Sequence, residues 1–157
     1  MRWSEIGDQR CSVARTLSVI GERWTMLVLR EAFLRTRRFD DFQRRTGAPR
    51  PILADRLRVL VEHGILDRHP YGNHPDRYEY RLTDKGLDLY PVIVSLMTWG
   101  DRWMPDDDDI PPVELEHKGC GHVTHPELAC PECGGWVGAR DMVAITNDAE
   151  ADPRRGA

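Results

Sequence analysis

The chain has 157 residues, of which 40% are hydrophobic and 31% are charged, a size that allows one ordinary domain with at most a small satellite. It has no run of 18 apolar residues and no hydrophobic signal core near its first residue, so we expect a cytoplasmic protein without a transmembrane span. The charge is unevenly divided, because residues 1–104 carry 18 Lys and Arg against 14 Asp and Glu, whereas residues 105–157 carry 4 against 12. This division predicts a basic part that meets a polyanion and an acidic part that does not.

Three helices are predicted before residue 47. Residues 10–20 form a short helix with apolar residues on one side, which Gly21 ends. Residues 24–34 are apolar on nearly every face, which is typical of a buried central helix. Residues 39–46 form a two-turn helix with Phe39 and Phe42 facing inward, and Gly47 closes it.

The next helix is the most informative part of the chain. Pro51 suits a first helical position, where its missing N–H is not needed, and Gly64 follows the last turn. An apolar stripe at helical spacing predicts one buried side: Leu53, Leu57, Leu60 and Val61. The other faces carry Arg50, Arg56 and Arg58, which indicates either a merely solvated surface or the second helix of a helix-turn-helix lying in a DNA major groove.

The period of the apolar residues changes from 3.6 to 2 after Gly64. Residues 65–71 and 77–82 are predicted strands around residues 72–76, so a hairpin follows the recognition helix as a wing. His74 and Arg77 at its tip are expected beside the DNA backbone or minor groove. A hairpin that only covers the core is the alternative.

A long terminal helix is predicted over residues 87–103, with Thr83 as an N-cap before it. Its apolar stripe includes two tryptophans, more surface than one small domain covers, so a symmetric partner is expected and folding back on its own domain is the alternative. The predicted dimer interface consists of Val13, Leu17, Leu89, Val92, Leu96, Trp99 and Trp103.

The chain beyond this helix divides into three predicted parts. Residues 105–112 are an acidic Pro/Asp linker, because four aspartates repel one another and prolines block regular structure. A calcium loop would need a glycine turn and a later glutamate, and both are missing. The predicted units are a DNA-binding and dimerisation domain at 1–104, this linker, a small zinc-ribbon-like module at 113–146 and a disordered tail at 147–157.

Cysteine and histidine spacing predicts a metal site in the small module. Cys130-x-x-Cys133-Gly is a zinc knuckle, and His117-x-x-Cys120-Gly has the same spacing with histidine first. This parallel favours His117 as the fourth ligand over His122 or His125, giving a closed Cys3His set for structural Zn²⁺. Thiol redox activity is the rival interpretation. No internal repeat or long low-complexity tract is apparent in the chain.

These motifs resemble the HxlR family of bacterial winged-helix transcription regulators, relatives of the MarR group, over residues 11–103. The matching stretches are Cys11-Ser-Val-Ala-Arg-Thr-Leu17, Ile20-Gly-Glu-Arg-Trp-Thr25, Arg38-Phe-Asp-Asp-Phe42, Ile52-Leu-Ala-Asp-Arg-Leu-Arg-Val-Leu60, His63-Gly-Ile-Leu66, Tyr78-Glu-Tyr-Arg-Leu-Thr-Asp-Lys-Gly86 and Trp99-Gly100. The resemblance implies a homodimer on palindromic operator DNA, often switched by a small molecule or by oxidation. Some members carry a similar zinc-ribbon-like tail.

Two features of the sequence bear on that resemblance. Members that sense oxidants use a cysteine near the start of the first helix, which corresponds to Cys11, and a helix N-terminus beside Arg10 and Arg15 favours a reactive thiolate. Simple packing of Cys11 is the alternative. Members also often have polar side chains where this chain has Pro49, Pro51 and Ala54, which removes hydrogen bonds to base edges.

We therefore expect an α+β protein: a winged helix-turn-helix with a long C-terminal dimerisation helix and a small zinc-ribbon-like module. It would act as a DNA-binding regulator, a repressor, in the cytoplasm or on the nucleoid, with a small-molecule effector of unknown identity. The expected DNA contacts are Arg38, Pro49, Arg50, Ala54, Asp55, Arg56, Arg58, His74 and Arg77. The alternative is a protein-interaction adaptor on the same scaffold. An enzyme is not expected, because no nucleophile–base pair or open metal site is visible.

Overall fold

The computed structural model describes residues 3–72, 77–105, 107 and 110–145. The chain divides into two compact units, Met1–Asp107 and Asp108–Ala157, which are described separately below. The division falls inside the predicted acidic linker. His74, most of the four linker aspartates and the predicted tail lie outside the described residues. Within the described part, no helix is long and apolar enough to cross a membrane.

The first unit consists of helices and one two-stranded sheet. A 3₁₀ helix at Trp3–Asp8 precedes the helices that we number in chain order. These are α1 (Ser12–Ile20), α2 (Arg23–Phe33), α3 (Phe39–Thr46), α4 (Arg50–Glu62), α5 (Asp84–Leu87) and α6 (Tyr90–Trp103). The strands are β1 (Leu66–Pro70) and β2 (Tyr78–Leu82), and the second unit adds β3 (Glu116–His117) and β4 (His122–Val123).

The core of the first unit surrounds α2, as its apolar sequence predicts. Helix α2 contacts α3, α4, α6 and β2, and its residues Val28 and Leu29 are fully buried. Phe42 from α3 is also fully buried, and the leucine stripe of α4 closes the core from the other side: Leu53, Leu57 and Leu60. The stripe therefore decides which face of α4 points outward.

Helix ends follow local chemistry. The Glu22 carboxylate accepts hydrogen bonds from the backbone N–H groups of Trp24 (2.8 Å) and Thr25 (3.3 Å), which satisfies free donors at the start of α2. Gly47 adopts a left-handed conformation (φ +72°) that ends α3, as predicted. Helix α4 begins at Arg50, one residue before the predicted start.

The prediction of one continuous terminal helix over residues 87–103 is wrong for its first residues. The chain instead forms the short α5, whose N-cap is the predicted Thr83: its Oγ1 accepts a hydrogen bond from the backbone N–H of Gly86 at 3.0 Å. After α5 the chain restarts as α6 at Tyr90. Pro91 explains the break, since it lacks an N–H and therefore suits only the first turn of a helix.

The predicted hairpin is present, and its sheet is wider than predicted. Strands β1 and β2 pair antiparallel from Leu66↔Leu82 to Pro70↔Tyr78. The segment before α3 adds a short third edge, because Arg38 forms a bridge with Glu79 and the Tyr80 N–H donates to the Arg37 carbonyl at 2.8 Å. The wing is thus fastened to the start of the helix-turn-helix.

Gly86 offers a test of how tightly β1 and α5 are packed. A Cβ atom at Gly86 would collide with the backbone carbonyl of Ile65, whereas a Cβ at Gly100 in α6 meets no described atom within 4 Å. We expect Gly86→Ala to lower the free energy of unfolding by about 1–3 kcal/mol, since the backbone must move. Gly100→Ala should raise it by about 0.5–1 kcal/mol, because alanine favours helix. Urea denaturation measures both, and equal effects of the two variants would contradict the packing.

Candidate nucleic-acid interface and candidate metal centre

Helices α3 and α4 form a helix-turn-helix. The turn is fixed by Thr46, whose hydroxyl donates to the Phe42 carbonyl (2.7 Å) and accepts from the Ala48 N–H (3.2 Å). Ala48 is buried, so the turn is held against the core. Three of the predicted contacts at the start of α4 are consequently exposed, namely Pro49, Arg50 and Ala54.

Arg50 joins α4 to α3. Its Nη1 donates to Asp40 Oδ1 at 3.0 Å and to Gln43 Oε1 at 2.9 Å, and its guanidinium lies over the Phe39 ring, 4.8 Å from the centroid. A guanidinium carries five N–H groups, and both of these bonds leave from one nitrogen. Arg50 therefore holds a fixed position at the exposed end of α4 and retains donors for another acceptor.

The other two arginines of α4 are paired with carboxylates of the same helix. Arg58 donates to Glu62 at 2.7 Å and to Asp55 at 2.6 Å. The hydrogen bond from Arg58 lowers the pKa of Asp55, and the hydrogen bond to Asp55 raises the pKa of Arg58. Arg56 is half-buried against Asp55, and its Nε is a buried donor with no partner among the described residues. Of the three predicted readers, Arg50 is thus the one placed at the helix end.

The structure brings Arg50 together with two predicted contacts from other elements. Arg38, Arg50 and Arg77 all line a cleft of about 530 Å³ between the start of α3, the start of α4 and the wing, which we call the wing cleft. The other described residues lining it are Phe39, Asp40, Asp41, Tyr71, Tyr78 and Tyr80. The Arg38 guanidinium lies 4.6 Å from the centre of the Tyr71 ring and its Nε is 3.6 Å from Glu79 Oε1.

A second cationic surface adjoins the wing cleft, and of its arginines only Arg38 was predicted from the sequence as a DNA contact. A cleft of about 310 Å³, here called the arginine cleft, lies where α2 turns into α3. The arginines lining it are Arg35, Arg37, Arg38, Arg44 and Arg45. Asp41 and Glu79 lie among them, and the pKa of Glu79 is lowered, chiefly by a hydrogen bond from Arg81. The run Arg35-Thr-Arg-Arg38 was the signal that could have identified this surface.

The predicted dimer residues separate into exposed and covered groups. Val92, Leu96, Trp99 and Trp103 form an apolar stripe along α6 with exposures of 40–62%. Val13 and Leu17 are exposed on α1. Leu89, by contrast, is half-buried against the core of its own chain.

Cys11 lies at the N-cap of α1 and is exposed. Its backbone N–H donates to the Gln9 carbonyl at 2.7 Å, and its side chain makes no capping hydrogen bond. The thiol is therefore accessible from solvent, next to the exposed Arg10 and Arg15.

The predicted metal ligands occur as two pairs in the second unit. Nδ1 of His117 lies 3.3 Å from Sγ of Cys120. Cys130 and Cys133 form the other pair, and hydrogen bonding from the Cys133 backbone lowers the pKa of the Cys130 thiol. Within the part of the chain that the structure describes, no three His, Cys, Asp or Glu side chains converge closely enough to hold an ion.

Each pair belongs to a hairpin with the same backbone hydrogen bonds. The Gly121 N–H donates to the His117 carbonyl and the Gly134 N–H to the Cys130 carbonyl, both at 2.8 Å. Both glycines have positive φ angles, +71° and +70°. Each turn has the form that lets backbone N–H groups approach a bound sulfur.

The two hairpins are equivalent over ten residues, and each residue of the first corresponds to the residue thirteen positions later in the second. The Leu115 carbonyl accepts a hydrogen bond from the Thr124 N–H, and at the equivalent position the Leu128 carbonyl accepts one from the Val137 N–H. Likewise, the β pairing of Glu116 with Val123 corresponds to that of Ala129 with Trp136. This repeat of residues 115–124 and 128–137 corrects the expectation that nothing beyond the knuckle spacing recurs. His117 corresponds to Cys130, whereas His122 corresponds to Gly135, which has no ligand atom in its side chain. By their chemistry, the imidazole of His117 and the thiols of Cys120, Cys130 and Cys133 are side chains that could serve as zinc ligands.

Comparison with known proteins agrees with the helix-turn-helix. The profile of the HxlR-like helix-turn-helix family matches residues 19–108. An uncharacterized HTH-type transcriptional regulator of Mycobacterium tuberculosis is 50% identical over 131 residues, covering 83% of this chain and 82% of the relative. Another from a Synechocystis strain is 33% identical, covering 62% of this chain and 73% of the relative.

Solved structures give the same result. The crystal structure of PA1607, a protein assigned as a transcription factor, superposes with a TM-score of 0.77 at 35% identity and covers 94% of this chain and 100% of that one. The redox regulator HypR in its reduced form superposes with a TM-score of 0.54 at 31% identity, covering 59% of this chain and 92% of that one. The fold is a winged helix-turn-helix, and the chain belongs to the HxlR family of helix-turn-helix transcriptional regulators.

Proposed function

We propose that this regulator acts as a homodimeric repressor on a palindromic operator, with α4 in the major groove and the wing beside the backbone. The observation that carries the proposal is the convergence of Arg38, Arg50 and Arg77 in one cleft beside the exposed start of α4. Recognition helices contact base edges from their N-terminal residues, and a wing extends the contact along the duplex. Pro49 and Ala54 on the same end are positioned for apolar contact with a thymine methyl group.

The arginines divide by role in this proposal. Arg50 is preorganised by Asp40 and Gln43, which suits a contact to guanine. The five arginines of the arginine cleft are exposed, and among them they make ion pairs with three carboxylates, Glu31, Asp41 and Glu79. The remaining excess of positive charge suits phosphates. Arg56 and Arg58, with Asp55, contribute less, because carboxylates of α4 already compensate their charge.

The homodimer is proposed from the exposed apolar residues of α6 and α1. The stripe on α6 recurs at residues 92, 96, 99 and 103, a spacing that keeps all four on one side of the helix. The two exposed tryptophans of this stripe are typical of an interface, and Val13 and Leu17 are further exposed apolar residues on α1. A two-fold dimer also places two recognition helices on half-sites about one DNA turn apart.

A thiol switch at Cys11 belongs to the same proposal. The thiol is exposed at the N-cap of α1 and makes no capping hydrogen bond, so an oxidant in solvent can reach it. The structural neighbour HypR is described as a redox regulator. Since Cys11 starts α1, oxidation there would act on a helix that contributes Val13 and Leu17 to the proposed interface.

Structural Zn²⁺ in the second unit is proposed from the ten-residue repeat. Each half offers two donors on equivalent turns, and together they make a closed Cys3His set that stabilises a fold without leaving a position for catalysis. So small a module has little apolar core of its own, and Val123, Leu128 and Trp136 are exposed. The bound ion would supply the link between the halves.

The DNA contacts are tested by Arg50→Ala and Arg38→Ala. Duplex DNA from upstream of the protein's own gene serves as the probe in fluorescence anisotropy over a range of salt concentrations. Arg50→Ala should cost about 1–3 kcal/mol of binding free energy and relax base preference, because a contact to a base edge is lost. Arg38→Ala should weaken binding to all DNA sequences alike, because a phosphate contact is lost. It should also reduce the salt slope, the dependence of log affinity on log salt concentration, by about 1.

Arg23→Ala is the matched control for both, since Arg23 is an exposed arginine on α2 outside both clefts. It should leave affinity and salt slope unchanged. If the intact protein showed no salt-dependent binding to any duplex, the DNA-binding proposal would fail in favour of the adaptor.

The dimer is tested by Leu96→Glu. A carboxylate in the middle of the stripe would be buried without a partner, so the mass in solution should fall from that of two chains to that of one. Light scattering after size-exclusion chromatography measures this mass. Leu34→Glu alters an exposed leucine away from the stripe and should leave the mass unchanged. An intact protein that is already monomeric refutes the dimer.

Metal binding is tested by comparing two histidines. The purified protein should contain about one Zn²⁺ per chain, and His117→Ala should lose most of it because one of the four ligands is removed. His122→Ala should retain the metal, since its counterpart in the repeat is a glycine. Elemental analysis and the visible spectrum of the Co²⁺-substituted protein report the outcome. Loss of metal in the His122 variant alone would contradict the assignment.

A further inference from the structure

A cleft of about 350 Å³ lies between α1, the end of α4 and α5, away from both arginine-lined clefts. We call it the α1–α5 cleft. Its floor is apolar: Ile20 and Ile65 are buried core residues, and Val19 and Leu89 pack beside them. This volume lies within the range of small-molecule pockets, which begins near 300 Å³.

The rim of the cleft is cationic and carries no acidic group among the described residues that line it. Arg15 donates to Ser12 Oγ at 3.2 Å, and Lys85 donates to the backbone carbonyl of His63 at 2.7 Å. Neither makes an ion pair with a carboxylate of the described chain, in contrast to Arg58 of α4. Two positive charges thus line the same apolar cleft without an ion-pair partner among the described residues.

His63 adds a further polar group to this rim. Its Nδ1 is 2.9 Å from the Val59 carbonyl, so Nδ1 carries the hydrogen and Nε2 remains for another partner. The hydroxyl groups of Ser12 and Thr16 complete the rim. The combination of an apolar floor, fixed cations and neutral donors matches a molecule with one anionic end and one apolar body.

We propose that the α1–α5 cleft binds an amphipathic organic carboxylate. Its carboxylate group would lie between Arg15 and Lys85, and its apolar body would cover Ile20, Ile65 and Leu89. DNA is a poor occupant, because α4 has 13 residues and the cleft lies at its C-terminal end, about 20 Å from Arg50.

The cleft is placed where an occupant would affect two surfaces at once. One wall belongs to α1, which carries Val13 and Leu17, and the other contains His63 at the end of α4. An occupant would contact α1 and the end of the recognition helix at once, and through these contacts the carboxylate would act as an effector. This regulatory consequence, unlike binding itself, rests on the proposed DNA-binding function.

Calorimetry on the full-length protein tests the site directly, with 2-naphthoate and octanoate as probes and their neutral amides as controls. At least one of the acids should bind saturably, and its amide at least about tenfold more weakly, because the neutral amide cannot make charge-assisted hydrogen bonds with Arg15 and Lys85 as a carboxylate does. The double variant Arg15→Gln/Lys85→Gln should bind the acid more weakly than the unmodified protein by a similar factor. Arg23→Gln/Arg140→Gln removes two charges elsewhere and should have no effect.

Thr16→Trp provides a second variant that fills the cleft and should abolish binding while leaving both charges in place. Failure of both acids to bind the intact protein, equal binding of acid and amide, or unchanged binding in the charge and filling variants would each overturn the site.

Anisotropy with the upstream DNA, with and without the bound acid, tests regulation separately. A change in DNA affinity supports the effector role. Unchanged affinity overturns that role while the site stands, and absence of DNA binding altogether refutes the proposed function without affecting the calorimetric result.

Discussion

The burial of one face of α4 is the constraint on which the first unit depends. Leu53, Leu57 and Leu60 have no exposed surface, and they pack against the core built around α2 and Phe42. A helix fixed along one side has no freedom to rotate, so its outward residues are set by the same contacts. The direction of Arg50 and Ala54 is thus a consequence of packing, and the fixed turn through Ala48 sets the position of the helix start.

Ion pairs between arginines and nearby carboxylates determine where positive charge remains on the surface of the first unit. Arg56 and Arg58 of α4 are compensated by Asp55 and Glu62, whereas the five arginines of the arginine cleft share three carboxylates, Glu31, Asp41 and Glu79. The described surface around the start of the helix-turn-helix therefore carries more arginines than carboxylates. The β-bridge between Arg38 and Glu79 joins the wing to the segment before α3. Arg38 lines both the wing cleft and the arginine cleft, so this bridge also connects the two cationic surfaces.

Periodicity in the sequence was sufficient for most of the fold. The bounds of α3 match the prediction, and the wing and the buried α2 were predicted because their patterns are strong. Periodicity indicates which face is buried but not which charges meet, so the bonds from Arg50 to Asp40 and Gln43 were not foreseen. The break before α6 was missed because the apolar pattern continues across it, although Pro91 marks the position. The dimer surface, the metal and Cys11 remain predictions.

The repeat in the second unit has a consequence for which side chains it tolerates. Because the two hairpins share their main-chain hydrogen bonds at an offset of thirteen residues, matched positions see the same backbone surroundings. Histidine at 117 and cysteine at 130 are thus alternative occupants of one structural position. Imidazole and thiol can be exchanged there while the turn keeps its shape, so the geometry of the hairpin is independent of the donor that it presents.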